Sequence, residues 1–539
     1  MFDISSCFPF ETPREEQVAA INFALDAFLI HNKRFVILEL GTGVGKSAIA
    51  VTISNYLNQK LGSASSAYVI TTQKILQDQY ESDFSSKGLV SLKSSTNYKC
   101  THFSEQSCAE SSRLLTSLLK QKMIMNEYKE FSENCRNVEK CPYKQNKDKF
   151  VNGNLGVTNF AYFLAETLYA GKLTPRQLLC IDEAHNTEAE LGKFVELTLS
   201  SKFCQSALGI KFPKDLTQAS VITWLSSIYK RAIEKEMKKL IKLMSQNLGQ
   251  RAALAELTKK YELLDKHICK INRFLTNYDA NNWILNVVRD HGKTLLEFKT
   301  IDVAPFSEDL LFKHGNMILM LSATIVDKNQ YCKSLGIPLD QVAFLSIGSP
   351  FNPKHKPIHI MPVGSMSKNV IDTTLPKIAE AVKMLLEHHK NEKGIIHCNT
   401  FKIANYIVEN VKSSRLLTHT SSTREEIYKY HLNSVDPTVL VSPSMTEGVN
   451  LAGDASRFQV ICKIPYPYLG DDVVKKRMAA RPGWYDYQTA KTIIQSVGRS
   501  IRSETDYAVT YILDSDWKRF FEKNEKLFSE DFLLSILTK

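Results

Sequence analysis

The stretch that most limits how this chain can fold is Glu39-Leu-Gly-Thr-Gly-Val-Gly-Lys46-Ser47. An apolar run, Phe35 to Leu38, precedes it and a helical pattern from Ala48 to Leu57 follows, so it reads as strand, glycine loop, helix. Such a loop lets several backbone N–H groups converge on one anion. Glycine carries no side chain to block the approach, and the helix N-terminus adds partial positive charge. From Gly41 to Ser47 the spacing is G-x-x-x-G-K-S, with Leu40 where the strict phosphate-loop pattern has its first glycine. Gly41, Thr42, Gly43 and Gly45 are the expected polyphosphate cradle. Lys46 would reach the β- and γ-phosphates, and the Ser47 hydroxyl would sit on Mg²⁺.

A second apolar strand, Leu178 to Ile181, delivers Asp182-Glu183-Ala184-His185. An acidic pair at a strand end is what Mg²⁺-dependent nucleotide hydrolysis requires. Asp182 would hold the metal and Glu183 would orient or deprotonate the attacking water. His185 would couple the nucleotide site to a second domain. Upstream, Thr12-Pro13 starts a helix in which Arg14 and Gln17 lie about one turn apart and face the nucleotide base. Ala67 to Thr71 reads as a strand ending in hydroxyl and amide groups. Thr71 and Gln73 are therefore candidates for touching a nucleic-acid backbone, since strand ends of parallel sheets are where ligands bind.

Between these motifs the pattern changes. Cys100, Cys108, Cys135 and Cys141 form one insert with intervals C-x7-C-x26-C-x5-C, and Pro142 follows the last. Four thiolates suit either a tetrahedral zinc or an iron–sulfur cluster; the wide spacing argues against a zinc ribbon, and a cysteine before proline also occurs in cluster sites. From Asn186 to about Leu296 there is little strand signal. Two stretches there have helical spacing, one through Ile233, Met237, Leu240, Ile241 and Met244, the other through Leu254, Leu257, Tyr261, Leu264 and Ile268, with Gly249 between them. They predict a helical hairpin inserted into the α/β domain. Its basic cluster, Lys230, Arg231, Lys235, Lys238, Lys239 and Lys242, can be a nucleic-acid track or a solvated face.

A buried strand, Met317 to Leu321, returns with Ser322-Ala323-Thr324 at its tip, suited to a switch beside the acidic pair. Gly348 to Lys356 reads as a linker into a second α/β domain. There Lys393 to Asn399 and Thr438 to Val441 are strands, and a loop rich in turn formers runs from Ser442 through Glu447 and Gly448 to Gly453. Gln495-Ser-Val-Gly-Arg499-Ser-Ile-Arg502 closes the set. Its two arginines, three apart on one helical face, would reach across the cleft to the γ-phosphate.

At 539 residues the chain is too long for one core. Its 68 basic against 57 acidic residues tilt it toward a polyanionic partner. No run of about eighteen apolar residues predicts a membrane span. The start of the chain does not read as a secretory signal. Eleven cysteines, an odd number, fit an intracellular, reducing compartment better than a disulfide framework.

In order, these residues resemble the XPD/DinG-type iron–sulfur helicases of superfamily 2. The likeness rests on Arg14 and Gln17, Glu39–Ser47, Thr71–Gln73, Cys100, Cys141-Pro142-Tyr143, Val157–Asn159, Asp182–His185, Ser322–Thr324, Glu447–Gly453 and Gln495–Arg502. Asn450 stands where that family commonly has Asp, and Ala508 where Gly is usual. The resemblance implies an ATP-driven 5′→3′ DNA helicase, a monomeric motor acting on single-stranded DNA and on forked or 5′-tailed duplexes. Its fold would be two RecA-like parallel-sheet lobes. The first would span residues 1–87, 146–190 and 291–347, with a [4Fe–4S] domain over 88–145 and a helical arch over 191–290. The second would span 348–539. Implied roles are hydrolysis for Lys46, Asp182, Glu183, Gln495, Arg499 and Arg502, and nucleotide contact for Glu447 and Gly448. DNA contact would fall to Thr71, Gln73, Asn159 and Thr400, and cluster ligation to the four cysteines. Two other functions fit the same motifs: an RNA helicase of the D-E-A-H type, and a DNA-structure-binding scaffold switched by ATP without unwinding.

Overall fold

The structure is a computed structural model that describes residues 2–62, 66–120, 129–171, 173–248, 250–290, 292–445, 449, 451–498, 500–501 and 506–537. Its strands, in chain order, fall into three sheets. The first lobe carries β1 (Phe35–Leu40), β2 (Ala67–Thr71), β3 (Leu89–Ser91), β4 (Leu155–Asn159) and β5 (Arg176–Asp182). An inserted sheet holds β6 (Leu197–Ser200), β7 (Trp283–Asp290) and β8 (Lys293–Thr300). The chain then returns to the first lobe with β9 (Gly315–Ser322) and β10 (Val342–Ile347).

The first sheet has seven strands in the order β10-β1-β9-β5-β2-β4-β3, and every pairing in it is parallel. Sequence explains this. β1, β5 and β9 are built on the apolar runs Phe35 to Leu38, Leu178 to Ile181 and Met317 to Leu321 because helices cover both faces of the sheet, which is the condition for parallel strands. Alternate residues go to opposite cores. Val36 and Leu38 pack with the helices Glu15–Leu29 and Lys46–Leu61 through Ile21, Leu25, Ile49 and Ile53. Phe35 and Ile37 join the other core with Phe160, Phe163 and Tyr331.

The second lobe repeats the plan. Its strands are β11 (Ile358–Gly364), β12 (Gly394–His397), β13 (Leu416–Thr418), β14 (Val439–Ser442), β15 (Phe458–Ile461), β16 (Val509–Asp514) and β17 (Ile536–Leu537). They lie in the order β13-β14-β12-β15-β16-β11-β17, all parallel. The fold class expected from the sequence, two parallel-sheet lobes, is the one observed.

Two inserts rise from the first lobe. One, between β3 and β4, carries the four cysteines on and around the helices Cys108–Lys120, Lys129–Arg136 and Pro142–Asn152. The other contains the helices Lys230–Gln246 and Arg251–Thr276, which pack side by side. The two inserts meet in a shared apolar core, where Leu114, Leu115, Leu118 and Phe131 of the first pack with Met244 and Leu254 of the second. An Arg113–Glu262 ion pair of 2.7 Å lies beside it.

One expectation is corrected here. The stretch from Asn186 to Leu296 contains β6, β7 and the first half of β8, an antiparallel sheet in the order β6-β8-β7. The boundary drawn at residue 290 coincides with the last residue of β7, Asp290. The period-2 signal was present in Lys293–Thr300, whose Leu296, Phe298 and Thr300 are buried. It is short and polar, and the long helical pattern beside it dominated the reading.

Candidate functional site

The glycine loop leaves the C-terminal end of β1 and runs into the helix Lys46–Leu61, as strand-loop-helix spacing demands. Asp182 ends β5 and is 5 % exposed. Burial, with Glu183 beside it, pushes the Asp182 carboxyl up to about 6, while Lys46 pulls it down. Tyr80 donates its hydroxyl to Asp182 Oδ2 at 3.1 Å, and the Glu183 N–H donates to Oδ1 at 2.9 Å. Glu183 adopts a left-handed backbone, φ +53°, which turns the chain sharply off the strand. For a residue with a Cβ this is a strained conformation of the kind that clusters at functional sites.

From Glu183 a line of polar contacts crosses to the second lobe. Glu183 Oε2 is 3.3 Å from His185 Nδ1, and that nitrogen is 2.9 Å from Ser322 Oγ. Ser322 Oγ in turn accepts the Thr324 N–H at 3.0 Å. Gln495 of the second lobe then donates Nε2 to Thr324 Oγ1 at 3.3 Å. His185, Ser322, Thr324 and Gln495 are all buried, so the line is shielded from water, where each contact counts for more.

Between the lobes lies a cleft of about 270 Å³ whose walls include Gly41, Thr42, Lys46, Glu183, Thr324 and Gln495. The structure thus gathers the glycine loop, the Glu183 carboxylate and the second-lobe glutamine around one space. Lys46 Nζ points to the Leu40 carbonyl at 3.4 Å. Ser47 starts the helix behind it. Arg14 and Gln17 stand on the outer side of the loop. Arg14 NH1 donates to the Gly43 carbonyl at 2.5 Å, and Gln17 Oε1 accepts the Arg14 N–H at 2.9 Å. In this structure Arg14 is engaged with the loop itself. Glu447, Gly448, Arg499 and Arg502, as well as Asn450, lie outside the described residues.

The four expected nucleic-acid contacts separate into three at the first sheet and one in the second lobe. Thr71 and Asn159 are register partners at the C-terminal ends of β2 and β4. Thr71 is buried and donates its hydroxyl to the Gln73 carbonyl at 3.1 Å. Asn159 caps a helix by accepting the Tyr162 N–H at 2.9 Å, and Thr400 accepts the Ile403 N–H at 3.3 Å. Gln73 is half-buried at the start of the helix Lys74–Phe84.

Cys100, Cys108, Cys135 and Cys141 line one small cavity together with His102 and Phe131. Cys108 Sγ and Cys141 Sγ are 3.7 Å apart. Burial, then the neighbouring thiols, push the Cys108 thiol up to about 12. Among the described residues no three His, Cys, Asp or Glu side chains are gathered to hold a metal ion.

Sequence reasoning missed several residues of the cleft. Ser349, Phe351 and Lys356 of the linker and Phe528, Asp531 and Phe532 near the C-terminus line it. Glu39 also lines it, accepting the Val326 N–H at 2.6 Å and the Ser346 hydroxyl at 2.9 Å. Only Glu39, a charge inside an apolar strand, carried a local signal. Among the described residues no helix is long and apolar enough to cross a membrane.

Comparison with known proteins points one way. The helicase C-terminal domain family matches residues 383–532, and the type III restriction enzyme res subunit family matches residues 11–212. The ATP-dependent DNA helicase YoaA of Haemophilus influenzae is 22% identical, with 97% of this chain and 93% of that protein covered. The ATP-dependent DNA helicase DinG of Photobacterium profundum is 25% identical over 43% of this chain and 36% of its own length. A solved XPD helicase superposes with a TM-score of 0.66 at 16% identity, covering 96% of this chain and 98% of that one. Xpd4 of S. tokodaii gives 0.58 at 15% identity, covering 97% and 99%. At these identities the solved structures show the fold.

Proposed function

The chain belongs to the XPD/DinG-type helicases of superfamily 2, and from that premise we propose that it hydrolyses ATP to translocate 5′→3′ along single-stranded DNA and unwind duplex or structured DNA. The observation that carries this reading is the unbroken polar path from Glu183 through His185, Ser322 and Thr324 to Gln495. A hydrolytic carboxylate wired to the opposite lobe is what converts a change at the γ-phosphate into a change of lobe spacing.

In the proposed cycle the loop amides from Gly41 to Ser47 orient the triphosphate, and Lys46 neutralises charge on its outer phosphates. Asp182 and Ser47 would hold Mg²⁺, which supplies charge neutralisation at the phosphates when bound. Glu183 accepts the proton of the attacking water. The raised Asp182 carboxyl fits a metal ligand, since a buried acid pair without a cation resists full ionisation. Arg499 and Arg502 are proposed to complete the site from the second lobe, and Glu447 and Gly448 to contact the nucleotide.

The four cysteines are proposed as ligands of a [4Fe–4S] cluster. The donor set supports such a group in that the four cysteines line one cavity. A bound cluster would supply rigidity to the insert. That insert and the helical hairpin share a core, which supports the reading that together they close a loop of protein over the first lobe. A single strand threaded beneath it would be separated from its complement at the rim.

The test is unwinding of a 5′-tailed duplex by the parent protein and by Lys46→Ala and Glu183→Gln. The parent should unwind the 5′-tailed but not the 3′-tailed substrate, and both variants should fail. ATP turnover stimulated by RNA rather than DNA would select an RNA helicase. Nucleotide-dependent DNA binding without any unwinding would select a scaffold.

A further inference from the structure

The linker between the lobes is pressed into the phosphate loop more closely than a connector requires. A Cβ on Gly41 would lie 2.4 Å from the Ser349 backbone nitrogen, and a Cβ on Gly348 would lie 2.4 Å from Asp531 Oδ2. Both contacts are far inside van der Waals separation, so loop, linker and the C-terminal helix Glu530–Ser535 stack only because both positions lack a side chain. Across this stack runs a short chain of bonds. Asp531 Oδ2 accepts the Ser349 N–H at 2.6 Å, and Ser349 Oγ donates to the Thr42 carbonyl at 2.9 Å. Gly41 N–H is tied as well, to the Ile347 carbonyl at 2.9 Å.

The Thr42 carbonyl is half of a planar trans peptide whose other half is the Gly43 N–H. Fixing the carbonyl toward Ser349 therefore fixes the direction of the Gly43 N–H, an amide of the cradle. The next peptide is held the same way, because Arg14 takes the Gly43 carbonyl. Two successive peptide planes of the loop are thus clamped from outside, one by the first helix and one by the linker. The linker clamp is anchored in the second lobe, since Phe528 and Phe532, flanking Asp531, belong to the core that includes Ile358 and Ile461.

We infer that Asp531 and Ser349 are positioning residues for nucleotide binding: the second lobe, through Asp531 and then Ser349, sets the orientation of the phosphate-loop amides. This rests on the reading of the loop as an ATP site. The aspartate acts as a hydrogen-bond acceptor, and its charge has a separate neighbour in Lys356, whose ammonium burial holds below the usual lysine range.

The test is calorimetric titration of the full chain with Mg-ADP, alongside thermal melting without nucleotide. Asp531→Ala and Ser349→Ala should each weaken binding about fivefold to tenfold, the worth of one buried hydrogen bond. The double variant should be no weaker than the worse single one, because both act on the same peptide. Asp531→Asn, whose amide oxygen still accepts the Ser349 N–H, should recover most of the loss. Melting without nucleotide should stay close to the parent's. Parent-like affinity in Asp531→Ala, or an Asp531→Asn as weak as Asp531→Ala, or penalties that add in the double variant, would overturn the inference. A loss of affinity that merely follows a collapsed melting temperature would overturn it too. A parent that binds no nucleotide would remove the reading of the loop and the inference together.

Discussion

Gln495 Nε2 stands 3.3 Å from Thr324 Oγ1, and through that bond the second lobe touches the strand tip that also carries Ser322. Both side chains are buried, so no water can replace the bond when one partner is cut back. Gln495→Ala and Thr324→Ala should each lower DNA-stimulated ATP turnover about tenfold, the rate equivalent of one buried hydrogen bond. Mg-ATP affinity should change much less, and the two losses should not add. Steady-state turnover with and without a single-stranded oligonucleotide decides it.

A second contact between the lobes is ionic. Arg481, 4 % exposed, donates to Glu188 at 3.0 Å and to Asp302 at 2.5 Å. Arg477 next to it donates to the Ile301 and Thr300 carbonyls. Glu188 lies in the first turn of the helix that follows the acidic pair. Arg477 NH1 also lies 3.7 Å from Glu188, so removing Arg481 costs its own charged hydrogen bonds rather than stranding a bare charge, about 2 kcal/mol. Arg481→Ala should therefore split a single thermal transition into two as the lobes uncouple. A single transition at the parent's temperature would show that this contact does not bind the lobes together.

His431 gives a stability prediction with a definite sign. It is fully buried, with Nε2 donating to the Ala455 carbonyl and Nδ1 accepting from Thr438, each at 2.8 Å. Burial lowers it to about 4, against 6.5 in the unfolded chain. Between those values the unfolded state binds the proton and the native state does not. The stabilisation is therefore complete above pH 6.5 and is lost as pH falls toward 4, about 3 kcal/mol in all. Urea midpoints measured down to pH 5 should fall for the parent, and His431→Gln should fall less steeply by one proton's share. Equal slopes would mean that His431 is already charged in the native state.

The cysteine insert is checked by spectroscopy. Protein purified without oxygen should absorb broadly at roughly 400 nm and carry about four irons per chain. Cys108→Ser should lose the absorption and, with it, unwinding. Stoichiometric zinc with no visible absorption would replace the cluster by a different metal.

Some of this was legible in the residues alone. β1 and β5 announce themselves because a doubly covered parallel strand carries a run of apolar residues, Phe35 to Leu38 and Leu178 to Ile181, and the groups they deliver, Gly41 to Ser47 and Asp182-Glu183, are unusual enough to be read by chemistry. Asp531 was not legible. It sits in an ordinary helix start, and its partner Ser349 lies 182 positions earlier in the chain, so no local pattern records the pairing. Thr71 and Asn159 looked like free polar groups at strand ends. Their hydrogen bonds are spent on their own backbone, a competition that spacing alone does not resolve.

β9 lies between β1 and β5, so the strand that launches the phosphate loop and the strand that delivers the acidic pair are never neighbours. Their spacing is set by a segment, Gly315–Ser322, that leaves the ribosome only after both inserts. A nascent chain halted before it would possess the glycine loop and the acidic pair and still have no slot in which to register them.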